Sequence, residues 1–196
     1  MKTGNSLRFL KGLSILIPTF TVCQMQYVYA AKYMEVQEAQ KSMFKNADSF
    51  VDVSLTLSKE QKKNIKKHSG INEIQDNQQI WKALQGKNHV GYFVIDYVYG
   101  KHEFITYAIA LDMKGVVMSI DILEYKESYG GEVKNIEWRK QFTGKTIKDN
   151  FTVDDDIKNI TDYDDRQNMI RATLSCKHIA DGVKKVLSIY ELYIKN

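Results

Sequence analysis

The sequence predicts an α+β fold, an antiparallel sheet of about four to five strands flanked by N-terminal and C-terminal helices. Segments rich in β-branched and aromatic residues are grouped in the middle of the chain, with short turn-forming clusters between them. Helical patterns occur before and after this group, which argues against the alternation of a doubly wound sheet. The 196 residues suffice for one domain with a sizeable core.

Residues 1–30 have the pattern of a secretory signal peptide. A basic start is followed by an apolar run at residues 12–22 and by small residues before position 31. The apolar run is about half of the roughly 20 residues that span a bilayer, and an uncleaved anchor is the alternative. We therefore expect residues 31–196 to form a domain exported to the periplasm or the outer face of the cytoplasmic membrane.

The net charge and the cysteine content limit the classes of function that the chain can have. Loss of Lys2, Arg8 and Lys11 with the leader reduces the formal charge from +4 to about +1, which offers no electrostatic footprint for nucleic acid. Cys23 leaves with the same segment, so Cys176 is the cysteine that remains. We expect Cys176 to be buried, because a free cysteine packs as a small apolar side chain, and a reactive thiol is the alternative.

The first elements of the exported part are predicted from local patterns. Residues 34–46 have an amphipathic helical period, and residues 51–57 alternate as a half-buried strand does. Ser58 and Gln61 form a capping-box signature that opens a basic helix, and Gly70 is placed to end it.

The central strands come next. They are predicted at residues 80–84, 89–97, 103–111 and 116–125, with glycine-containing clusters between them that suit hairpins. A short helix is expected at residues 136–142.

The last helix is predicted to begin near Thr173 and to run to about Tyr193, because apolar residues recur there with a helical period. Thr173 and Ser175 would then lie at or near the N-cap. The exposed N–H groups and positive dipole end of a helix N-terminus favour a phosphate. The simpler alternative is that one of these hydroxyls only caps the helix.

Sequence signatures of self-contained hydrolases and metalloenzymes are absent. The four histidines have no zinc-ligand spacing, either among themselves or with Cys176. No dinucleotide glycine fingerprint, phosphate-binding loop or nucleophile elbow occurs. A non-enzymatic role is therefore favoured.

Four segments nevertheless stand out in order. They are the glycine turn within residues 96–107, Glu-Ser-Tyr-Gly-Gly at 127–131, Trp-Arg-Lys-Gln-Phe-x-Gly-Lys at 138–145 and Ala-Thr-Leu-Ser at 172–175. Together they resemble the FMN-binding domain, which occurs in flavin-carrying subunits of the Rnf and Nqr redox complexes and in standalone exported proteins. The resemblance extends over residues 33–193.

This resemblance implies an electron-transfer protein in which a separate flavin transferase attaches FMN by its phosphate to a threonine. The matching residue is Thr173, with Arg171, Ala172 and Ser175 around it. Arg171 stands where the family has a glycine, and a guanidinium suits phosphate geometry. The altered motif leaves covalent and noncovalent attachment both open.

The resemblance also suggests which residues surround the flavin. Glu127, Tyr129 and Trp138 are the candidates for the environment of the ring. The expected partners are the flavin transferase and a redox partner that the sequence does not identify, for which a membrane-bound complex is a candidate. The alternative function is a flavin-free binding or interaction module of the same fold in the cell envelope.

Overall fold

The computed structural model describes residues 31–127, 131–158 and 166–195. The predicted leader at 1–30 and Tyr129 lie outside these ranges. The elements within them are β1 (Ala31–Lys32), α1 (Val36–Met43), β2 (Ser49–Asp52), β3 (Leu55–Thr56), α2 (Lys59–Ser69), β4 (Asn77–Gln85), β5 (Asn88–Tyr99), β6 (Phe104–Leu111), β7 (Val117–Tyr125), α3 (Ile136–Arg139) and α4 (Arg166–Tyr193). No helix in the described ranges has both the length and the apolar character to cross a membrane.

The sheet is antiparallel, with the strand order β1-β7-β6-β5-β4-β2, and β3 pairs with β4 beside this path. The predicted α+β class and the four central strands are confirmed. The sheet has more strands than predicted, because residues 51–57 contribute to two short strands and β1 adds a two-residue edge. Strands of two to four residues are too short for a period to identify them.

The two faces of the sheet are covered by different helices. On one face, Ile65 of α2 and Ile179 of α4 pack with Tyr107 and Ile109 of β6. On the other face, Ala39 of α1 packs in a second cluster of apolar side chains. Alternate residues of each central strand point to opposite faces, so both sides are buried over much of the sheet.

Helix α4 runs lengthwise over its face of the sheet. Near one end the Ser175 hydroxyl lies 3.1 Å from the Tyr125 hydroxyl, at the last residue of β7. Near the other end the Tyr190 hydroxyl donates to the carbonyl of Met113, in the β6–β7 turn, at 2.8 Å. We call the end with the β5–β6 turn, residues 100–103, the tip end; Ser175 lies toward it.

The start of α4 corrects a sequence-based prediction. The helix begins at Arg166, about two turns before Thr173, so neither Thr173 nor Ser175 is an N-cap. The N–H of a residue that far inside is used within the helix, and the dipole acts mainly within the first turn. The prediction was wrong because it began the helix at its most apolar turns, although Met169, Ala172 and Cys176 continue the same i, i+3, i+7 spacing toward the N-terminus.

Other local predictions are confirmed. The Ser58 Oγ accepts from the N–H of Gln61 at 3.2 Å, and the Gln61 Oε1 accepts from the N–H of Ser58 at 2.8 Å. Gly70 ends α2 with a positive φ of 79°. Cys176 is buried, as expected.

Candidate functional site

Thr173 lines a cavity between α4 and the segment 150–154. The cavity has a volume of about 310 Å³, and the side chains of Lys177 and Lys184 also border it. Thr173 is half-buried. Sites for small molecules and cofactors have volumes of roughly 300–1,000 Å³, so the cavity lies at the lower end of that range.

The opposite wall is a loop that bonds to itself. The Asn150 Oδ1 accepts from the backbone N–H of Thr152 at 3.1 Å and from its hydroxyl at 2.8 Å. The N–H of Asp154 donates to the carbonyl of Ile157 at 2.9 Å. The Lys145 amine pairs with Asp156 across the same loop. These bonds fix the shape of the wall that faces Thr173.

Aromatic side chains of the core pack against this loop. The ring of Phe151 is stacked on Phe142 with centroids 6.5 Å apart, and Trp138 meets Phe142 edge-on at 5.1 Å. The Trp138 indole N–H donates to the carbonyl of Lys158 at 3.1 Å. Trp138 is only 4% exposed. The structure therefore places it in the core beside the loop, and its contact with flavin stays a prediction.

The cations at the rim are available to a ligand. Lys177 forms an i,i+4 ion pair with Asp181 at 2.5 Å, and the Lys177 side chain is 58% exposed. An exposed pair contributes at most about 1 kcal/mol, so an anionic ligand can replace Asp181 at little cost. Lys184 borders the same cavity. Two amines and two carboxylates, those of Asp154 and Asp181, thus border the cavity with Thr173.

Glu127 has a different position, at the tip end. Its Oε1 accepts from the backbone N–H groups of His102 and Glu103, at 2.5 and 3.0 Å. A Cβ on Gly100 would lie 2.5 Å from the same oxygen, so a larger residue there would displace the Glu127 side chain. The contact joins two of the four segments that the sequence singled out. Whether Glu127 also lies near a flavin stays a prediction.

The remaining predicted residues separate into two groups. Ser175 is 3% exposed and points to Tyr125 in the core, so of these two hydroxyl residues Thr173 is the one that borders the cavity. Arg171 and Ala172 lie within α4, but their side chains fall outside the structural description, as all of Tyr129 does. Their predicted roles are therefore untested.

Sequence reasoning missed Lys177, Lys184 and the loop at 150–154. Lys177 and Lys184 follow Thr173 at helical spacings of about one and three turns, so a helical period carried through residue 173 would have placed all three on one side. The loop carried no such signal, because its approach to α4 depends on the tertiary fold.

A buried polar cluster beneath α4 was missed as well. The Lys185 amine donates to the Asp96 carboxylate at 2.9 Å and to the Gln75 amide oxygen at 2.5 Å, and the Tyr107 hydroxyl donates to Asp96 at 2.6 Å. Burial, and then the negative charge of Asp96, raise the pKa of Tyr107 well above its ordinary value. Gly182 permits this packing, because a Cβ there would collide with the Tyr107 hydroxyl.

Metal binding finds no support in the described ranges, where no group of three or more His, Cys, Asp or Glu side chains could hold an ion.

One family model matches part of the chain. Residues 100–188 match the model of the FMN-binding domain, a stretch that runs from the glycine turn through most of α4. The crystal structure of Shewanella oneidensis NqrC is similar over 81% of this chain and 75% of that chain, with 12% sequence identity and a TM-score of 0.43. Values this low say nothing about what this chain binds. None of the curated proteins compared with the chain matches it.

Proposed function

We propose, from the match of residues 100–188 to the FMN-binding domain model, that this protein is an exported FMN-carrying electron-transfer protein with its flavin attached through the phosphate to Thr173. The observation that carries the attachment site is the position of Thr173. It is the hydroxyl residue of the 172–175 motif that borders a cavity, whereas Ser175 is turned into the core.

The residues around Thr173 fit a phosphate ester. Lys177 and Lys184 bring positive charge to the cavity, which Asp154 and Asp181 also border, and the self-bonded loop at 150–154 covers the opposite side. When bound, FMN supplies the one- and two-electron chemistry. The chain's own groups hold the phosphate, place two lysine amines near it and exclude water from one side of the cavity.

Attachment requires a second protein. A threonine hydroxyl is a weak nucleophile without an activating base, so a flavin transferase must supply the activation. In the proposed step the Thr173 Oγ forms a bond to the FMN phosphorus of FAD, the bond between the two phosphates breaks, AMP leaves and the hydroxyl proton is released. No oxidant or reductant is consumed.

Export and the redox partner belong to the same proposal. The leader-like residues 1–30 support export to the periplasm or the outer face of the membrane. A carrier in that position would exchange electrons with a membrane-bound redox complex.

The attachment is tested by coexpressing the protein with a flavin transferase. We expect a yellow protein whose flavin fluorescence follows the denatured polypeptide on a gel, is lost in Thr173→Ala and is retained in Thr173→Ser. Thr56→Ala is the control, because it removes an exposed threonine hydroxyl in β3, outside the residues that line this cavity. Fluorescence that survives Thr173→Ala, or a colourless wild-type protein, would reject covalent attachment at Thr173.

A flavin-free binding module of the same fold is the second candidate. Two observations favour it: Arg171 occupies the glycine position of the motif, and Thr173 lies inside a helix instead of at its N-terminus. Titration of the apo-protein with free FMN separates the two functions, because a flavin-free module would show no saturable change in flavin fluorescence.

A further inference from the structure

Helix α2 carries a row of lysine side chains on its outer side. Positions i, i+4, i+7 and i+8 of a helix share one side, and α2 has an exposed lysine at each of them. The row extends over about 12 Å of the helix axis. On the opposite side of α2, Ile65 is buried in the core. We call the four residues of the row the lysine face: Lys59, Lys63, Lys66 and Lys67.

The lysine face has no counter-charge within the described ranges. The fifth lysine of α2, Lys62, pairs with Asp76, but none of the four lysines of the face forms an ion pair with another described residue. Five lysines and the carboxylate of Glu60 give α2 a formal charge of +4. Residues 31–196 together carry only about +1. Positive charge is therefore concentrated on α2, and the rest of the exported part is net negative.

The composition of the lysine face suits a lipid surface better than a protein interface. Lysine is depleted at protein–protein interfaces, which are enriched in aromatic residues, Met and Arg. The lysine face has none of these, and Ile65, the one apolar residue of α2, is buried. A cluster of about four to eight basic residues on an amphipathic helix is typical of binding to anionic phospholipid headgroups, where each charge contributes without a specific partner geometry.

The lysine face lies on the same side of the sheet as the Thr173 cavity. Helices α2 and α4 pack in one core cluster, and the Tyr193 hydroxyl of α4 donates to the carbonyl of Gln61 at 3.4 Å. Gly70, at the end of α2, borders a cavity of about 380 Å³ whose other wall includes Lys177. Lys177 also borders the Thr173 cavity. A surface that contacts α2 would therefore lie beside the part of α4 that carries Thr173.

We propose that the lysine face docks the domain on the surface of a bilayer that contains anionic phospholipid. The ammonium groups stay hydrated and attract the headgroup phosphates, so no side chain of α2 needs to enter the apolar layer. The proposal rests on the export proposed above, which brings the domain to a membrane. Electron exchange would then take place with a partner embedded in the same membrane.

The test compares two variants that lose the same charge, in the form of the protein that cells make. In the first, glutamine replaces all four lysines of the lysine face. In the matched control, glutamine replaces four exposed lysines outside α2, which are Lys41, Lys45, Lys87 and Lys114. Glutamine preserves helix propensity. Binding is measured by sedimentation with sucrose-loaded vesicles of phosphatidylcholine, with or without phosphatidylglycerol.

We expect the wild-type protein to sediment with vesicles that contain phosphatidylglycerol and not with phosphatidylcholine alone. The partition coefficient should fall about fivefold for each lysine removed from the lysine face. The matched control should lose less than about fivefold in total, and arginine at the four positions of the face should preserve binding. If the fourfold variant does not fold, Lys66→Gln alone should still lose about fivefold.

Equal losses in the two glutamine variants, or no binding of the wild-type protein to phosphatidylglycerol, would overturn the proposal. Self-association that depends on the lysine face, without vesicle binding, would assign the face to a second copy of the chain. A complex with polyglutamate that depends on the face, again without vesicle binding, would assign it to an acidic protein. Either result would overturn the proposal too.

This readout does not involve flavin. A colourless protein that binds anionic vesicles through the lysine face would contradict only the proposed function, and a yellow protein that does not bind them would contradict only the lipid contact.

Discussion

Lys185 shows how single residues define this core. Its side chain is 1% exposed and its partner Asp96 is 2% exposed, so both charges are removed from water. Burying a pair of charges is costly, and the cost is offset only when further hydrogen bonds complete the site. Gln75 and Tyr107 provide those bonds here. The cluster therefore orients α4 on the sheet through several directional contacts.

Removal of the Lys185 charge should be strongly destabilising. We expect Lys185→Met to lower the free energy of unfolding by about 3–5 kcal/mol, because Asp96 would remain buried without a counter-charge. Denaturant unfolding measures this. Lys195→Met is the control: it breaks the exposed i,i+4 pair with Glu191, where about 0.5 kcal/mol or less is expected. A similar decrease in the free energy of unfolding of both variants would contradict the expected contribution of the buried pair.

At the scale of elements, the conformation of the β5–β6 turn depends on Glu127, which lies just after the end of β7. The carboxylate of Glu127 accepts two backbone N–H groups of the turn. An unsatisfied N–H costs about 1–3 kcal/mol when buried and less where water can replace the acceptor. The conformation of this turn is therefore stabilised by Glu127, a residue that is not part of the hairpin.

Substitution of Glu127 should loosen this turn locally. We expect Glu127→Ala to accelerate amide hydrogen exchange at His102 and Glu103 by about tenfold, which corresponds to about 1.4 kcal/mol, and Glu127→Gln to have a smaller effect because one acceptor oxygen remains. Glu137→Ala, which removes an exposed carboxylate paired with Lys140, is the control. Unchanged exchange at the two amides in Glu127→Ala would contradict the account of the turn.

The elements also show what the sequence could and could not predict. The capping box at Ser58 and the central hairpins depend on residues close in sequence, and their prediction succeeded. The start of α4 was placed too late, because the apolar spacing of Met169, Ala172 and Cys176 is weaker than that of the residues after them. The wall at 150–154 depends on aromatic packing of Phe151 with Phe142. Such a contact between distant segments leaves no local pattern, so half of the Thr173 cavity was not predictable.

At the scale of the whole molecule, the buried polar cluster causes the free energy of unfolding to decrease at alkaline pH. Burial and the charge of Asp96 raise the pKa of Tyr107 well above 10.0 in the folded state. The unfolded chain releases this proton near its ordinary pKa, while the folded protein retains it. The contribution of Tyr107 is therefore complete below about pH 10 and declines as the pH rises further.

Tyr107→Phe should reduce this alkaline dependence. We expect the free energy of unfolding of the wild-type protein to fall more steeply above about pH 10 than that of Tyr107→Phe, by up to about 1.4 kcal/mol per pH unit for the one proton. Denaturant titrations at several pH values measure the slope. Tyr33→Phe, at an exposed tyrosine, should leave it unchanged. Equal slopes for wild-type protein and Tyr107→Phe would contradict the assignment.

The central claim is that Thr173 carries the flavin, and mass spectrometry of the protein isolated from its native host tests it most directly. The account predicts an intact mass increased by one esterified FMN, and fragmentation that places the addition on Thr173. An unmodified protein, or an addition on a different residue such as Thr152, would contradict the account.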